Sequence, residues 1–399
     1  MNNNNNAAKL ESNIWKLYLY MVLYSLMFFT PIVVLFYQKN GLSLTQIMII
    51  QSVSSILFVL LEVPSGYFAD IFGRKKALMI TGIFSAIAML TFAVGTNFYH
   101  LLFAAILWAI AGVFVSGADS AFLYDTLKDL GKENLYKKTW GNVVFIYSLG
   151  VSFASIIGGL LGSINFRYPF YAMIPFMLFL IPLSLSLKEP QRHKIIFTKN
   201  YPFDLLKAIK SAILKNPKLR WLLIYSAVIV GFINIAYFLY QPYFKLSGLN
   251  IVYFGVVFAS FNVIVAISAK YSHLLEEKMG QKYSLILLFM LTGTSFLLMS
   301  NFIFLFSFVF ALLIQFVQGF SSVVISDYVN KLTDSDIRAT VLSVKSLIEK
   351  MFFAIITPLI GWIVDIYSLE QALFISGILV LFFGAISLVL FWKEKTAQV

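Results

Sequence analysis

The chain is a succession of apolar runs of about 20 residues separated by short polar turns. Runs of that length, without the alternation of a half-buried strand, are long enough to cross a bilayer as helices. A transmembrane barrel would need alternating segments of about ten residues. In hydrocarbon every backbone N–H and C=O must find a partner inside the protein, which leaves the helix as the element for these runs. The composition agrees. Hydrophobic residues make up 60% of the chain and charged ones 12%, about half the charge of a soluble domain.

The runs predict an all-α membrane protein with about 12 transmembrane helices. The first six spans are Ile14–Gln38, Ser43–Ala69, Ala77–Thr96, Tyr99–Leu123, Thr139–Gly162 and Tyr168–Leu187. The second six are Trp221–Lys245, Ile251–Tyr271, Tyr283–Ser300, Phe302–Tyr328, Thr340–Ile366 and Glu370–Trp392. Around them fall a polar tail over 1–13, read as disordered, a linker over 188–219 and a short tail over 393–399. Two six-helix bundles result, 14–187 and 220–392. Within the linker, Phe203, Leu206, Ile209 and Ile213 recur at helical spacing with Lys207 and Lys210 on another face. That pattern fits a helix lying on an anionic lipid surface, or a solvated linker with one helical turn.

The net charge of +12 does not mark a nucleic-acid binder, because the cations sit in short loops and sort by side. One side holds Arg74, Lys75, Lys76, Lys128, Lys132, Lys137, Lys138, the lysine-rich linker, Lys278, Lys282, Lys331, Arg338, Lys393 and Lys395. The other holds Lys39, Arg167 and Lys245. The first is cytoplasmic by the positive-inside rule, with both termini inside. The chain has no cysteine, and its three histidines lack metal-ligand spacing, so no metal and no cofactor is expected. Phosphate-loop, nucleophile-elbow and zinc-protease motifs are absent, so the chain does not read as an enzyme.

Between the second and third spans stands Gly66-Tyr67-Phe68-Ala69-Asp70-Ile71-Phe72-Gly73-Arg74-Lys75-Lys76, a tight and highly charged turn. The pattern G-x-x-x-D-x-x-G-R-K-x resembles the signature loop of the major facilitator superfamily (MFS) of secondary transporters. Glu277-Lys278-Met279-Gly280-Gln281-Lys282 echoes it after the eighth span, at an offset of 277 − 70 = 207 residues, and Gly112 and Gly319 keep that offset. Such a repeat predicts two pseudo-symmetric six-helix halves. The resemblance implies alternating access, with substrate bound between the halves. It also makes Gly66, Asp70, Gly73, Arg74 and Lys75 a conformational latch.

In the fifth span, Gly141, Gly150, Gly158 and Gly159 fall at the glycine spacing of the drug–proton antiporters within that superfamily. Ala154-Ser155 stands where the antiporters have Gly-Pro, and Trp108, ahead of Gly112, where they carry an arginine. The same glycines also suit plain helix packing. Glu62 and Asp119 lie inside apolar runs. A carboxylate there must be protonated, paired or in contact with water, so each is either a proton-coupling group or a structural partner. Lys345 and Glu349 are spaced to pair on one helical face. Asn234, Tyr237 and Gln241 form a stripe at i, i+3, i+7, and Asn262, Gln315 and Gln318 add amides. These groups either line a substrate cavity or tie helices together.

The expected function is proton-coupled efflux of hydrophobic or drug-like small molecules by a monomer in the cell membrane. The partners are then the lipid bilayer, protons and a small-molecule substrate. Proton-coupled import of a small nutrient is the alternative within the class. A passive channel or a non-transporting receptor is the alternative outside it.

Overall fold

Backbone groups inside apolar runs can pair only along their own helix, and the computed structural model follows that rule. It describes residues 2–191, 216–334 and 337–394, apart from the side chains of 2–7 and 339. Fourteen α-helices are labelled here: α1 Asn2–Ser25, α2 Val33–Lys39, α3 Leu44–Phe72, α4 Arg74–Val94, α5 Phe98–Val115, α6 Ala118–Asp129, α7 Tyr136–Ile164, α8 Tyr168–Ser186, α9 Pro217–Leu246, α10 Ile251–Lys270, α11 Ser272–Asn301, α12 Val309–Lys331, α13 Arg338–Ile366 and α14 Leu369–Lys393. Among the described residues, eleven helical stretches are long and apolar enough to cross a membrane, from Leu44–Phe72 to Leu369–Lys393.

The missing twelfth is the first span, which divides into α1 and α2 around residues 26–32. Pro31 in that break has no N–H to donate and disfavours helical geometry at the residue before it. The fourth span is also broken, between α5 and α6, where Gly117 takes φ 78°. The polar N-terminal tail expected over 1–13 is instead the start of α1, and Asn13 is buried. Asn13 binds the backbone at both N and O of Lys188, at 2.9 and 2.8 Å, which ties α1 to the end of the sixth span. The amphipathic pattern of 203–213 lies outside the described residues.

The chain divides into two units. One comprises 1–42, 53–196 and 251–259, the other 43–52, 197–250 and 260–399. The first unit centres on α4, packed between α5 and α8. The second repeats this with α11 between α12 and α14. Each unit also takes in the first residues of a helix whose remainder belongs to the other, 43–52 at the start of α3 and 251–259 of α10. Those two segments stand 251 − 43 = 208 and 259 − 52 = 207 residues apart, the spacing of the sequence repeat.

A buried bond recurs at nearly the same offset. Tyr20 donates to the carbonyl of Leu78 at 2.9 Å, and Tyr225 to that of Leu285 at 2.5 Å. Both tyrosines are fully buried. A phenol taken out of water needs such a partner, and each bond joins the first and third spans of its unit.

In the first unit α7 closes on its neighbours through glycines. Side chains at Gly150 and Gly158 would collide with Ser25 and with the backbone of Phe28. A Cβ on Gly159 would fall 2.7 Å from the Gly255 nitrogen. Three of the four glycines of the antiporter-like pattern are thus positions of close helix approach, while Gly141 faces open space. At the end of the first unit away from the charged turn, Arg167 donates to Asn40 Oδ1 and to the carbonyls of Gly95 and Ala93. It joins three loops without a carboxylate.

Candidate transport and gating residues

The charged turn is held by backbone geometry first. Gly73, at φ 112° and ψ 144°, stands between the end of α3 and the start of α4. An L side chain there is strained, and its Cβ would also lie 2.9 Å from Glu189 Oε2. The Glu189 carboxylate accepts the first N–H groups of α4, from Arg74 at 2.9 Å and Lys75 at 3.0 Å. A negative charge belongs at that end of a helix, where unpaired donors and the helix dipole both favour it.

The cations of the turn are directed back into their own unit. Arg74 forms an ion pair with Asp125 of α6 and donates to the Ala121 carbonyl at 2.5 Å. Lys75 donates to the carbonyl of Leu185 at 2.6 Å. Asp70 is half-buried, and the space around Gly66 is open. Asp125 and Glu189 are functional candidates that the sequence reading passed over. Asp125 ends a span on the same side as the turn, and Glu189 stands just before Pro190 after another span, so position was the available signal. The repeated turn keeps the backbone but not the charges. Gly280 has φ 72° and ψ 169°, yet Gln281 stands where Arg74 does, and the local tie is Tyr328 donating to Glu276 at 2.7 Å.

Both membrane carboxylates fall in the first unit, Glu62 on α3 and Asp119 on α6, each half-buried. Asp119 sits in the first turn after the break at Gly117 and accepts the Ser120 N–H at 2.6 Å. Its charge acts on the phenols of Tyr20, Tyr24, Tyr136 and Tyr147. Tyr136 stacks on Trp140 at 6.4 Å and meets Tyr124 edge-on at 5.4 Å. Trp108 takes no part in a charge relay. It stacks on Tyr24 at 5.9 Å and meets Phe29 at 5.5 Å.

In the second unit Lys345 and Glu349 pair at 2.8 Å, as their spacing allows, with side chains only 14% and 12% exposed. Ser226 of α9 also donates to Glu349, so the pair joins α13 to α9. The amide set divides by exposure. Asn234 and Gln318 are exposed, Tyr237 and Asn262 half-buried, and Gln241 and Gln315 buried. Gln315 donates to the Tyr240 hydroxyl at 3.0 Å, an interhelical tie between α12 and α9. The Asn234–Tyr237–Gln241 stripe therefore runs from exposed to buried along α9. Among the described residues no cluster of histidine, aspartate or glutamate could hold a metal ion.

A repeated arrangement of spans, a charged turn on a forced glycine and ionisable groups inside the spans mark a multi-pass, all-helical membrane protein. The chain belongs to the major facilitator superfamily, whose sequence profile matches residues 17–349. The uncharacterised MFS-type transporter YxaM of Bacillus subtilis (strain 168) is 27% identical over 239 residues, 58% of either chain. Multidrug resistance protein 1 of the same organism is 30% identical over 132 residues, 32% of either chain. The chain thus spans less than two thirds of the length of these relatives. The crystal structure of the nucleoside transporter NupG superposes with a TM-score of 0.80 at 14% identity, covering 98% of this chain and 100% of that one. That likeness establishes the shared all-helical fold.

Proposed function

We propose that the protein exports hydrophobic or drug-like small molecules across the cell membrane by alternating access, driven by proton entry, with both termini cytoplasmic. The observation that carries this reading is Asp119. It is a half-buried carboxylate at a break in a spanning segment, with the phenols of Tyr20, Tyr24, Tyr136 and Tyr147 near enough to feel its charge. A carboxylate held in so little water can take up and release a proton, and the aromatic wall beside it suits apolar and aromatic solutes. The matching segment of a multidrug resistance protein supports the same direction and substrate class. Glu62 is the second candidate for the coupling proton. Of the predicted cavity residues in the second unit, Asn234, Tyr237, Asn262 and Gln318 are open enough to meet a solute.

Everted membrane vesicles test the proposal. An imposed proton gradient, acid inside, should drive uptake of dye-like hydrophobic compounds, and a protonophore should abolish it. Uptake indifferent to the protonophore would exclude proton coupling. Accumulation by intact cells, in place of depletion, would reverse the direction to import.

A further inference from the structure

The first turn of α3 is capped twice, and the second cap comes from the far end of the chain. Its own sequence supplies a capping box. Ser43 Oγ accepts the Gln46 N–H at 3.3 Å, and Gln46 Oε1 accepts the Ser43 N–H at 3.0 Å. The next two donors are taken by Asp365, in the last turn of α13. Its carboxylate accepts the N–H of Leu44 at 2.9 Å and of Thr45 at 2.8 Å, and the Thr45 hydroxyl at 2.5 Å. One turn earlier on α13, Gly361 lets the two backbones meet. A Cβ there would lie 2.9 Å from both the Leu44 carbonyl oxygen and Thr45 Cα.

Residues 43–52 and Asp365 belong to the same unit, whereas α3 from Val53 onward belongs to the other. Helix α3 is continuous across that boundary, and its one internal proline, Pro64, lies well beyond it. A change in the relation of the two units must therefore bend an unbroken helix or release its seat on α13. The seat is the weaker element. Asp365 and Ser43 are exposed, so water can replace their bonds at small cost.

We infer that Asp365 is a positioning residue of the transport cycle: it seats the start of α3 on α13 and must let go for the transporter to change conformation. This rests on the alternating-access reading. It places a releasable contact at the end of α3 opposite the Gly73 turn.

The absence of native cysteine provides a test that needs no substrate. Ser52 is buried on α3 seven residues beyond Thr45, so it lies on the same face about 10 Å along the helix. A Ser52→Cys reporter in intact cells is treated with a membrane-impermeant maleimide. Asp365→Asn, which removes the charge and turns one of the two accepting oxygens into a donor, should raise its labelling rate about fivefold, the ratio that about 1 kcal/mol gives. Asp365→Glu, which keeps the charge, should restore most of the original rate. Unchanged labelling in the Asn variant overturns the inference, as does an equal rise in both variants.

Should the Asn variant fail to fold, Thr45→Cys with Asp365→Cys replaces it. Mild oxidation should link the pair and stop Ser52→Cys labelling, and reduction should restore it. A pair that never links removes the contact. A linked pair that leaves labelling unchanged shows that the contact does not govern the conformation. None of these outcomes depends on efflux, so a failed vesicle assay and a failed latch remain distinguishable.

Discussion

Asp119 and Glu62 are the residues on which proton coupling is staked, and their amide variants give a sharp expectation. Asp119→Asn or Glu62→Gln should abolish uphill transport driven by a proton gradient. Exchange of solute down its own gradient should survive, because exchange does not need the proton to leave. Vesicle flux in the two modes separates these outcomes, and two variants that both still concentrate solute would move coupling elsewhere. Gly73 offers a structural counterpart. Gly73→Ala should destabilise its unit by about 1–2 kcal/mol through the positive φ. The Cβ also meets the Glu189 carboxylate. Shortening the acid with Glu189→Ala should relieve the collision but not the backbone strain. The double variant should therefore lose less than the sum of the two single losses, as read from unfolding in detergent. These side chains differ in how far the sequence announces them. A carboxylate in an apolar run is conspicuous, so Glu62 and Asp119 stand out unaided. Glu189 and Asp125 matter only through what the folded chain brings to them, and a lone acid in a polar loop carries no mark of its partner.

At the scale of elements, hydropathy is a good guide to where a span lies and a poor guide to whether it is whole. The predicted second span, Ser43–Ala69, and the observed α3, Leu44–Phe72, differ by one residue at the start and three at the end. The breaks in the first and fourth spans were invisible to apolar content because the first is itself mostly apolar and the second is only two residues long. Pro31 and the Ser116-Gly117 step were the available cues, and both are read through backbone geometry rather than through hydropathy. The amides of α9 and α12 were ambiguous for another reason. Cavity lining and interhelical bonding demand the same residue types, and only burial separates Gln315 from Gln318. The turn between α3 and α4 acts as one element, so its acid should influence rate more than binding. Asp70→Asn should slow transport strongly while leaving equilibrium substrate affinity within about threefold, under about 0.7 kcal/mol. A large loss of affinity with normal turnover would contradict that role.

Across the whole molecule the repeat makes a quantitative prediction. Tyr20→Phe and Tyr225→Phe each remove one buried bond between the first and third spans of a unit. Each should cost about 1 kcal/mol, and the double variant should cost their sum, because the sites share no partner. Unfolding in detergent would show it, and a difference above about 2 kcal/mol between the single variants would mean that the bonds are not equivalent. The offset of 207 also sorts the molecule by inheritance. Gly73 has a glycine counterpart at 73 + 207 = 280, and the tyrosine bonds come in two copies. Arg74 is answered by Gln281, Asp125 by Leu332, Asp119 by Ser326, and Asp365 by Gly158 at 365 − 207. If the chain descends from a doubled ancestor, what both copies retain is what either needed merely to stand in a membrane. What only one copy carries is where the halves parted company, and a device that opens first one way and then the other requires halves that are unlike.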